Sequence, residues 1–157
     1  MNTSTPDILL VGGAGYIGSH VVKALRDAGR QPVVFDNLST GLRENLFPEI
    51  PFIHGDLLIP EQVRTAMRGI RSVVHLAALK AAGDSMLEPE RYALHNLNGT
   101  VNLLHAAGAA GVRHFVFSSS AAVYGEPQYL PLDENHPTEP ANFYGQTKLQ
   151  IEMLLSW

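Results

Sequence analysis

Near the start of this chain a glycine-rich turn sits between an unbroken apolar run and an amphipathic helix, and few folds can use that combination. Ile8-Leu9-Leu10-Val11 is apolar throughout and runs into Gly12-Gly13-Ala14-Gly15-Tyr16-Ile17-Gly18. A short apolar run closed by turn-formers reads as a strand buried on both faces, as in a parallel sheet. Beyond it, Ile17, Val21, Ala24, Leu25 and Ala28 recur at intervals of three and four, and Gly29 stands where a helix terminator belongs. The glycines fit Gly13-x-Gly15-x-x-Gly18 and also Gly12-x-x-Gly15-x-x-Gly18. Such a turn lets the backbone approach a pyrophosphate closely and points the free N–H groups of a helix N-terminus at it. A second buried strand, Gln31 to Phe35, is followed by Asp36, 18 residues beyond Gly18. That is near the spacing of about 20 expected of the carboxylate that hydrogen-bonds the adenosine ribose hydroxyls. A carboxylate there repels the extra phosphate of NADP, so the expected cofactor is NAD.

The alternation continues. A short strand is predicted at Phe52-Ile53, a helix near Glu61 to Met67, a strand at Ser72 to Leu76, a long helix from about Glu90 to Ala110, and another buried strand over His114 to Ser118. Strands alternating with helices imply a doubly wound parallel sheet, because parallel neighbours need crossover connections that cover the sheet faces. From Gly125 to Asn142 the chain is polar and rich in proline, which reads as a surface excursion of the kind that often carries function. Tyr144 to Trp157 returns to helical spacing.

Composition narrows the function classes. With 157 residues, 45% of them hydrophobic, the chain can bury one core, so residues 1–157 are expected to form one domain. The net charge of −4 with dispersed Lys and Arg gives no footprint for nucleic acid. There are no cysteines, which excludes disulfides and thiolate chemistry. The seven histidines show no ligand spacing, so no metal is expected. Met1 to Asp7 is polar and reads as neither signal peptide nor anchor. No apolar run approaches the roughly 20 residues of a spanning helix. These features read as a soluble, cytoplasmic protein with no membrane partner.

Tyr144-Gly145-Gln146-Thr147-Lys148 places a phenol and an ammonium one helical turn apart on one face. A neighbouring positive charge favours a phenolate, which can take a proton from a substrate hydroxyl. The strand ending at Ser118-Ser119-Ser120 reaches the carboxyl edge of the sheet, where open α/β folds place ligands, and a serine hydroxyl there can hold the substrate oxygen.

With these landmarks the chain resembles the extended short-chain dehydrogenase/reductase family, which includes NAD-dependent epimerases and dehydratases, and within it the UDP-glucose (UDP-galactose) 4-epimerases. The resemblance runs from Ile8 onward. It rests on the glycine turn through Ser19-His20, on Asp36-Asn37-Leu38-Ser39-Thr40-Gly41, on Gly55-Asp56-Leu57, and on His75-Leu76-Ala77-Ala78-Leu79-Lys80-Ala81. Asn96-Leu97-Asn98-Gly99-Thr100, Ser118 to Gly125 and Tyr144 to Lys148 complete it.

The resemblance implies a cofactor site made of Gly12, Gly13, Gly15, Tyr16, Ile17 and Gly18, the segment Asp36 to Gly41, and Asp56 and Leu57 flanking the adenine. It also implies that Ala77, Ala78, Lys80 and Ser118 lie along NAD, and that Ser120, Tyr144 and Lys148 form the catalytic group, with Tyr144 and Lys148 also touching the cofactor. Asn96 is counted with the cofactor site, and reads equally as a satisfied core polar group or as a support behind that site. The implied reaction needs no net redox change. Tyr144 takes the C4 hydroxyl proton of a UDP-sugar while a hydride passes to NAD, the 4-keto sugar turns over, and the hydride returns to its other face. A homodimer through the helices carrying Asn96 and Tyr144 is implied as well. Two departures stand out. Val11 occupies a position where many relatives carry threonine, and the family's chains are considerably longer, their later segments supplying a substrate domain. The expectation is therefore an incomplete Rossmann domain without its C-terminal substrate domain, binding NAD weakly or not at all and inactive alone.

Overall fold

In the computed structural model, which describes residues 6–157, the apolar runs are strands of one parallel sheet. The polar N-terminal stretch lies outside the described residues except for Pro6 and Asp7. The strands are β1 (Ile8–Val11), β2 (Pro32–Asp36), β3 (Phe52–His54), β4 (Ser72–His75) and β5 (His114–Phe117), in the order β3-β2-β1-β4-β5. β1 pairs with β2 in the register Leu9↔Val33 and with β4 in the register Leu9↔Val73. The strand order reverses at β1, so the carboxyl ends of β1 and β4 flank the crevice where such sheets bind ligands. Helices are α1 (Tyr16–Asp27), α2 (Pro60–Ala66), α3 (Ala82–Leu87), α4 (Pro89–Tyr92), α5 (Gly99–Ala110) and α6 (Phe143–Leu155).

Contacts divide the chain into two compact units, one running up to Ala77 and including Val101–Ser118, the other made of Ala78–Thr100 and Ser119–Trp157. The first holds the sheet. Successive strand residues point to opposite faces, and each face has its own cluster. Leu9, Val11, Phe35 and Val73 pack with Val63, Ala66 and Met67 of α2 and with Leu103, Ala106 and Ala107 of α5. Leu10 and Val34 pack with Ala14, Val22 of α1, Leu46 and Ile50. This is the doubly wound arrangement that the alternation predicts, and each fully buried Leu or Val contributes about 1.5–3 kcal/mol. The helix terminators act through local geometry. Gly29, at φ +72°, donates to the Arg26 carbonyl while Arg30 N–H reaches Leu25 O, which together satisfy the last carbonyls of α1. Gly111 ends α5 in the same way, with Val112 N–H bonded to Ala107 O.

In the second unit α4 leads through a π-helical stretch, Ala93–Asn98, to α5, so the single helix expected from Glu90 carries a change of register near its start. α3 was not foreseen, because Ala-Gly-Asp-Ser-Met-Leu has no apolar period. β5 corrects a second expectation, since it is an edge strand with His114 and Val116 exposed rather than a buried one. Its apolar run is the same as that of an interior strand, but among the described residues only β4 pairs with it. The segment from Gly125 to Asn142 contains no helix or strand, as its prolines predict. Among the described residues no helix is long and apolar enough to cross a membrane.

Candidate functional site

The predicted cofactor residues of the sheet unit all follow the carboxyl ends of strands. Gly12 follows β1 at φ +82°, and a Cβ on it would lie 2.6 Å from the backbone nitrogen of Ala77. A Cβ on Gly18 would lie 2.2 Å from Gly12 O, and one on Gly13 would lie 2.8 Å from the methyls of Val34. The turn is therefore closed so tightly that no side chain fits at these three positions. Gly15 begins α1 without a capping side chain, and no acidic residue stands in the first turn. The first-turn N–H groups of a helix have no intrahelical partner and carry the positive end of its dipole, so this terminus suits a pyrophosphate. Tyr16 and Ile17 beside it are exposed.

Asp36 is buried at the end of β2 and ties two loops together. Its Oδ2 accepts from Ala14 N–H at 3.0 Å and its Oδ1 from Leu38 N–H at 2.8 Å. Each carboxylate oxygen retains acceptor capacity, so ribose hydroxyls can still bond there. The bond to Leu38 helps hold that residue at φ 57°, a left-handed conformation unusual for leucine. Asn37 Nδ2 donates to Asp56 Oδ2 at 3.0 Å and Asn37 Oδ1 accepts from Ser39 N–H at 3.0 Å. Asp56 Oδ1 also accepts from Leu58 N–H at 2.9 Å, and Leu57 O accepts from Asn102 Nδ2 at 2.9 Å. Ser39 and Thr40 are exposed, while Gly41 is buried so close to Ala14 that a Cβ would meet its carbonyl carbon at 2.8 Å. Ala77 N–H bonds to Val11 O at 3.1 Å and Ser118 N–H to His75 O at 3.0 Å.

The second unit carries the serine, tyrosine and lysine. Ser120 caps a 3-10 turn, Ala121–Val123, its Oγ accepting from Ala122 N–H at 3.1 Å. α6 lies against that turn because Gly145 has no side chain, since a Cβ there would lie 2.5 Å from Ala122 O. Asn142 caps α6, its Oδ1 accepting from Gly145 N–H at 2.8 Å. Lys148 follows Tyr144 by one turn and is buried, with its Nζ 5.9 Å from the centroid of the tyrosine ring. Burial pushes the Lys148 ammonium down from the usual 10.5 to about 8, so at neutral pH it is still mainly charged. A charge kept under such desolvation acts at short range with little screening.

Asn96 is buried and satisfied, and its partners neighbour predicted site positions. Its Oδ1 accepts from Leu79 N–H at 2.9 Å, and its Nδ2 donates to Leu79 O at 3.0 Å and to Thr147 Oγ1 at 3.1 Å. One amide thereby fixes the backbone between Ala78 and Lys80 and reaches α6. Lys80 itself is exposed. Residue-level reading missed Ser85 and Thr147. Thr147 Oγ1 donates to Tyr144 O at 2.7 Å, and Ser85 Oγ accepts from Tyr144 N–H at 3.0 Å. Asn142 was also missed, although an Asn just ahead of a helical pattern is a recognisable cap signal. Three of the seven histidines take ordinary partners. His20 and His54 bond to the carbonyls of Tyr16 and Asn37, and His136 is buried between Gln128 N–H and Pro137 O. Among the described residues no group of three or more His, Asp or Glu side chains could hold a metal ion.

Comparison with known proteins supports the family and the fold. Residues 8–157 match the sequence profile described as the NAD dependent epimerase/dehydratase family. The UDP-glucose 4-epimerase of Streptomyces lividans is 44% identical over 151 residues, which are 94% of this chain and 46% of that protein. The crystal structure of UDP-glucose 4-epimerase from Brucella ovis in complex with NAD superposes with a TM-score of 0.93 at 40% identity, covering 97% of this chain and 47% of that one. The Thermotoga maritima UDP-glucose 4-epimerase with UDP-glucose gives 0.90 at 36% identity, covering 96% and 50%. The chain spans about half the length of the curated relatives it matches.

Proposed function

The chain belongs to the NAD dependent epimerase/dehydratase family, and from that premise we propose that it carries the cofactor and proton-transfer residues of a UDP-glucose 4-epimerase, interconverting UDP-galactose and UDP-glucose with bound NAD. The observation that carries this reading is the Tyr144 and Lys148 pair on α6, with Lys148 buried 5.9 Å from the tyrosine ring and the Ser120 turn packed against the same helix.

The glycine turn and the uncapped start of α1 fit a pyrophosphate, and the Asp36 carboxylate fits ribose hydroxyls, so Gly12 to Gly18, Asp36 to Gly41, Asp56 and Leu57 would hold NAD. Ala77, Ala78, Lys80, Asn96 and Ser118 join them in this assignment. When bound, NAD supplies a reversible hydride acceptor. The chain's own residues do the rest. Tyr144 takes the proton of the sugar C4 hydroxyl and later returns it, Ser120 holds that oxygen, and the Lys148 ammonium stabilises the phenolate between the two transfers. Taking the proton from the hydroxyl oxygen and the hydride from C4 would leave a planar carbonyl; return of the hydride to the opposite face of that carbon, with the proton going back to the oxygen, would invert the centre. The contribution of the protein is orientation and charge.

A homodimer belongs to the same proposal. Leu97, Gln150, Met153, Leu154 and Trp157 line an apolar recess on the helices that carry Asn96 and Tyr144, and Met153, Leu154 and Trp157 are exposed. A second copy would cover that face.

The test is conversion of UDP-galactose to UDP-glucose with added NAD, followed by chromatography, run on this chain and on any longer polypeptide that contains it. Activity that disappears in Tyr144→Phe supports the assignment. Silence toward both sugars, with turnover of a different nucleotide sugar, overturns the substrate.

A further inference from the structure

Tyr144 is held by its backbone as well as by its helix, and one of the holding groups, Ser85 Oγ, comes from outside α6. Tyr144 is the second residue of α6, so its N–H is one of the four that a helix cannot satisfy itself. The Asn142 cap does not reach it, because that side chain is occupied with Gly145 N–H at 2.8 Å. The acceptor is Ser85 Oγ on α3, at 3.0 Å, 59 residues away in sequence. Ser85 is fully buried, and its own proton goes to Ala82 O at 2.5 Å, which turns an oxygen lone pair toward Tyr144. The start of α3 is fixed in turn by the Tyr92 hydroxyl, which donates to Ala81 O at 2.7 Å. On the other side of the same residue, Tyr144 O accepts from Thr147 Oγ1 at 2.7 Å, and Thr147 Oγ1 accepts from Asn96. Both polar atoms of the Tyr144 backbone are thus engaged by side-chain hydroxyls.

We infer that Ser85 is a positioning residue for Tyr144: its hydroxyl fixes the first turn of α6 and thereby sets where the phenol stands relative to Lys148 and the Ser120 turn. The inference rests on the role proposed above for Tyr144. It follows from how little freedom remains elsewhere. A helix frays at its first turn, and Tyr144 lies in that turn, whereas Lys148 lies one turn further in. Without the bond to Ser85, the tyrosine backbone can move while the lysine stays, and a displacement near 1 Å can lower turnover by about a hundredfold.

The test uses Ser85→Ala and Ser85→Cys in the full chain, the second because it fills nearly the same volume while removing the strong acceptor. Amide hydrogen exchange is read first, without cofactor or substrate. The Tyr144 amide should exchange at least tenfold faster in both variants while the amides of Thr147 and Lys148 keep their protection. An unchanged Tyr144 rate overturns the inference whether or not the protein is an epimerase. Turnover is read second, on an active polypeptide that contains this chain. kcat should fall tenfold to a hundredfold with KM and NAD affinity unchanged, and Ser85→Ala should cause no further loss in a Tyr144→Phe background. Equal loss in both backgrounds, or loss of NAD binding, would mean that Ser85 supports the fold generally and does not aim the tyrosine. If the parent shows no epimerase activity while Tyr144 exchange responds as stated, the proposed function fails and the positioning of Tyr144 by Ser85 stands.

Discussion

Replacing Lys148 with methionine should make the chain more stable at neutral pH and should erase a pH dependence that the wild-type protein shows in alkali. Burial lowers the Lys148 pKa from 10.5 to about 8 in the folded chain, whereas the unfolded chain keeps the ordinary value. Below about pH 8 both states are protonated, and folding carries the full cost of a desolvated ammonium. Between pH 8 and 10.5 the unfolded state holds a proton that the folded state has released, so stability rises with pH. Above 10.5 both are neutral and the cost is gone. A depression of this size corresponds to about 3 kcal/mol at about 1.4 kcal/mol per pH unit. Methionine has a similar length and no charge, so the Lys148→Met advantage should be largest at pH 7 and should shrink by about 3 kcal/mol by pH 10.5. Urea unfolding of both proteins at pH 7, 8, 9 and 10.5, at constant ionic strength, measures that difference. Two curves that run parallel across the range would refute the reasoning, because the desolvation would then not be felt by the lysine.

Other substitutions probe the remaining parts of the site. Gly18→Ala forces a Cβ to within 2.2 Å of Gly12 O, so calorimetry should show NAD binding lost, while Gly108→Ala in α5, where a Cβ meets nothing within 4 Å, should leave binding intact and raise stability by about 0.5–1 kcal/mol. Asn96→Ala strands both polar groups of the Leu79 backbone and should cost about 2–4 kcal/mol in urea unfolding; a loss under 1 kcal/mol would mean that water replaces the amide.

What could be read from the residues, and what could not, divides along a physical line. β1, β2 and β4 were legible because a strand covered on both faces needs an unbroken apolar run, and α1 was legible because its periodicity ends on a glycine that takes positive φ. The place of Asp36 at the end of β2 was legible from the apolar run before it. β5 was misread because His-Phe-Val-Phe has the composition of an interior strand, and which strand becomes the edge is decided by the order of the whole sheet. The π-helical stretch at Ala93–Asn98 escaped because a single shifted turn barely alters the apolar period. α3 and Ser85 escaped for a different reason: the value of that serine lies in a bond to a residue 59 positions away, and no local pattern encodes it. Asn96 stood on the threshold, since its burial could be inferred from its helix face but its partners could not.

Several of the places where this chain departs from the rules of easy folding lie at residues nominated for function. A buried ammonium at Lys148, a leucine at φ 57° beside Asp36 and a turn too tight for any Cβ at Gly12 and Gly18 each cost stability or restrict sequence. Ser119 Oγ, beside Ser120, is buried without a hydrogen-bond partner among the described residues. The two apolar clusters of the sheet show no such strain, and their side chains alternate between faces as strand geometry demands. A fold that needed only to be stable would place Met at position 148 and a residue tolerant of left-handed backbone at position 38. That several such costs fall on the glycine turn, the acid loop and the tyrosine helix is a pattern expected when local consistency is given up for chemistry. The Lys148→Met comparison measures one of those costs directly, since it should return stability while removing the charge on which the proposed proton transfer by Tyr144 would depend.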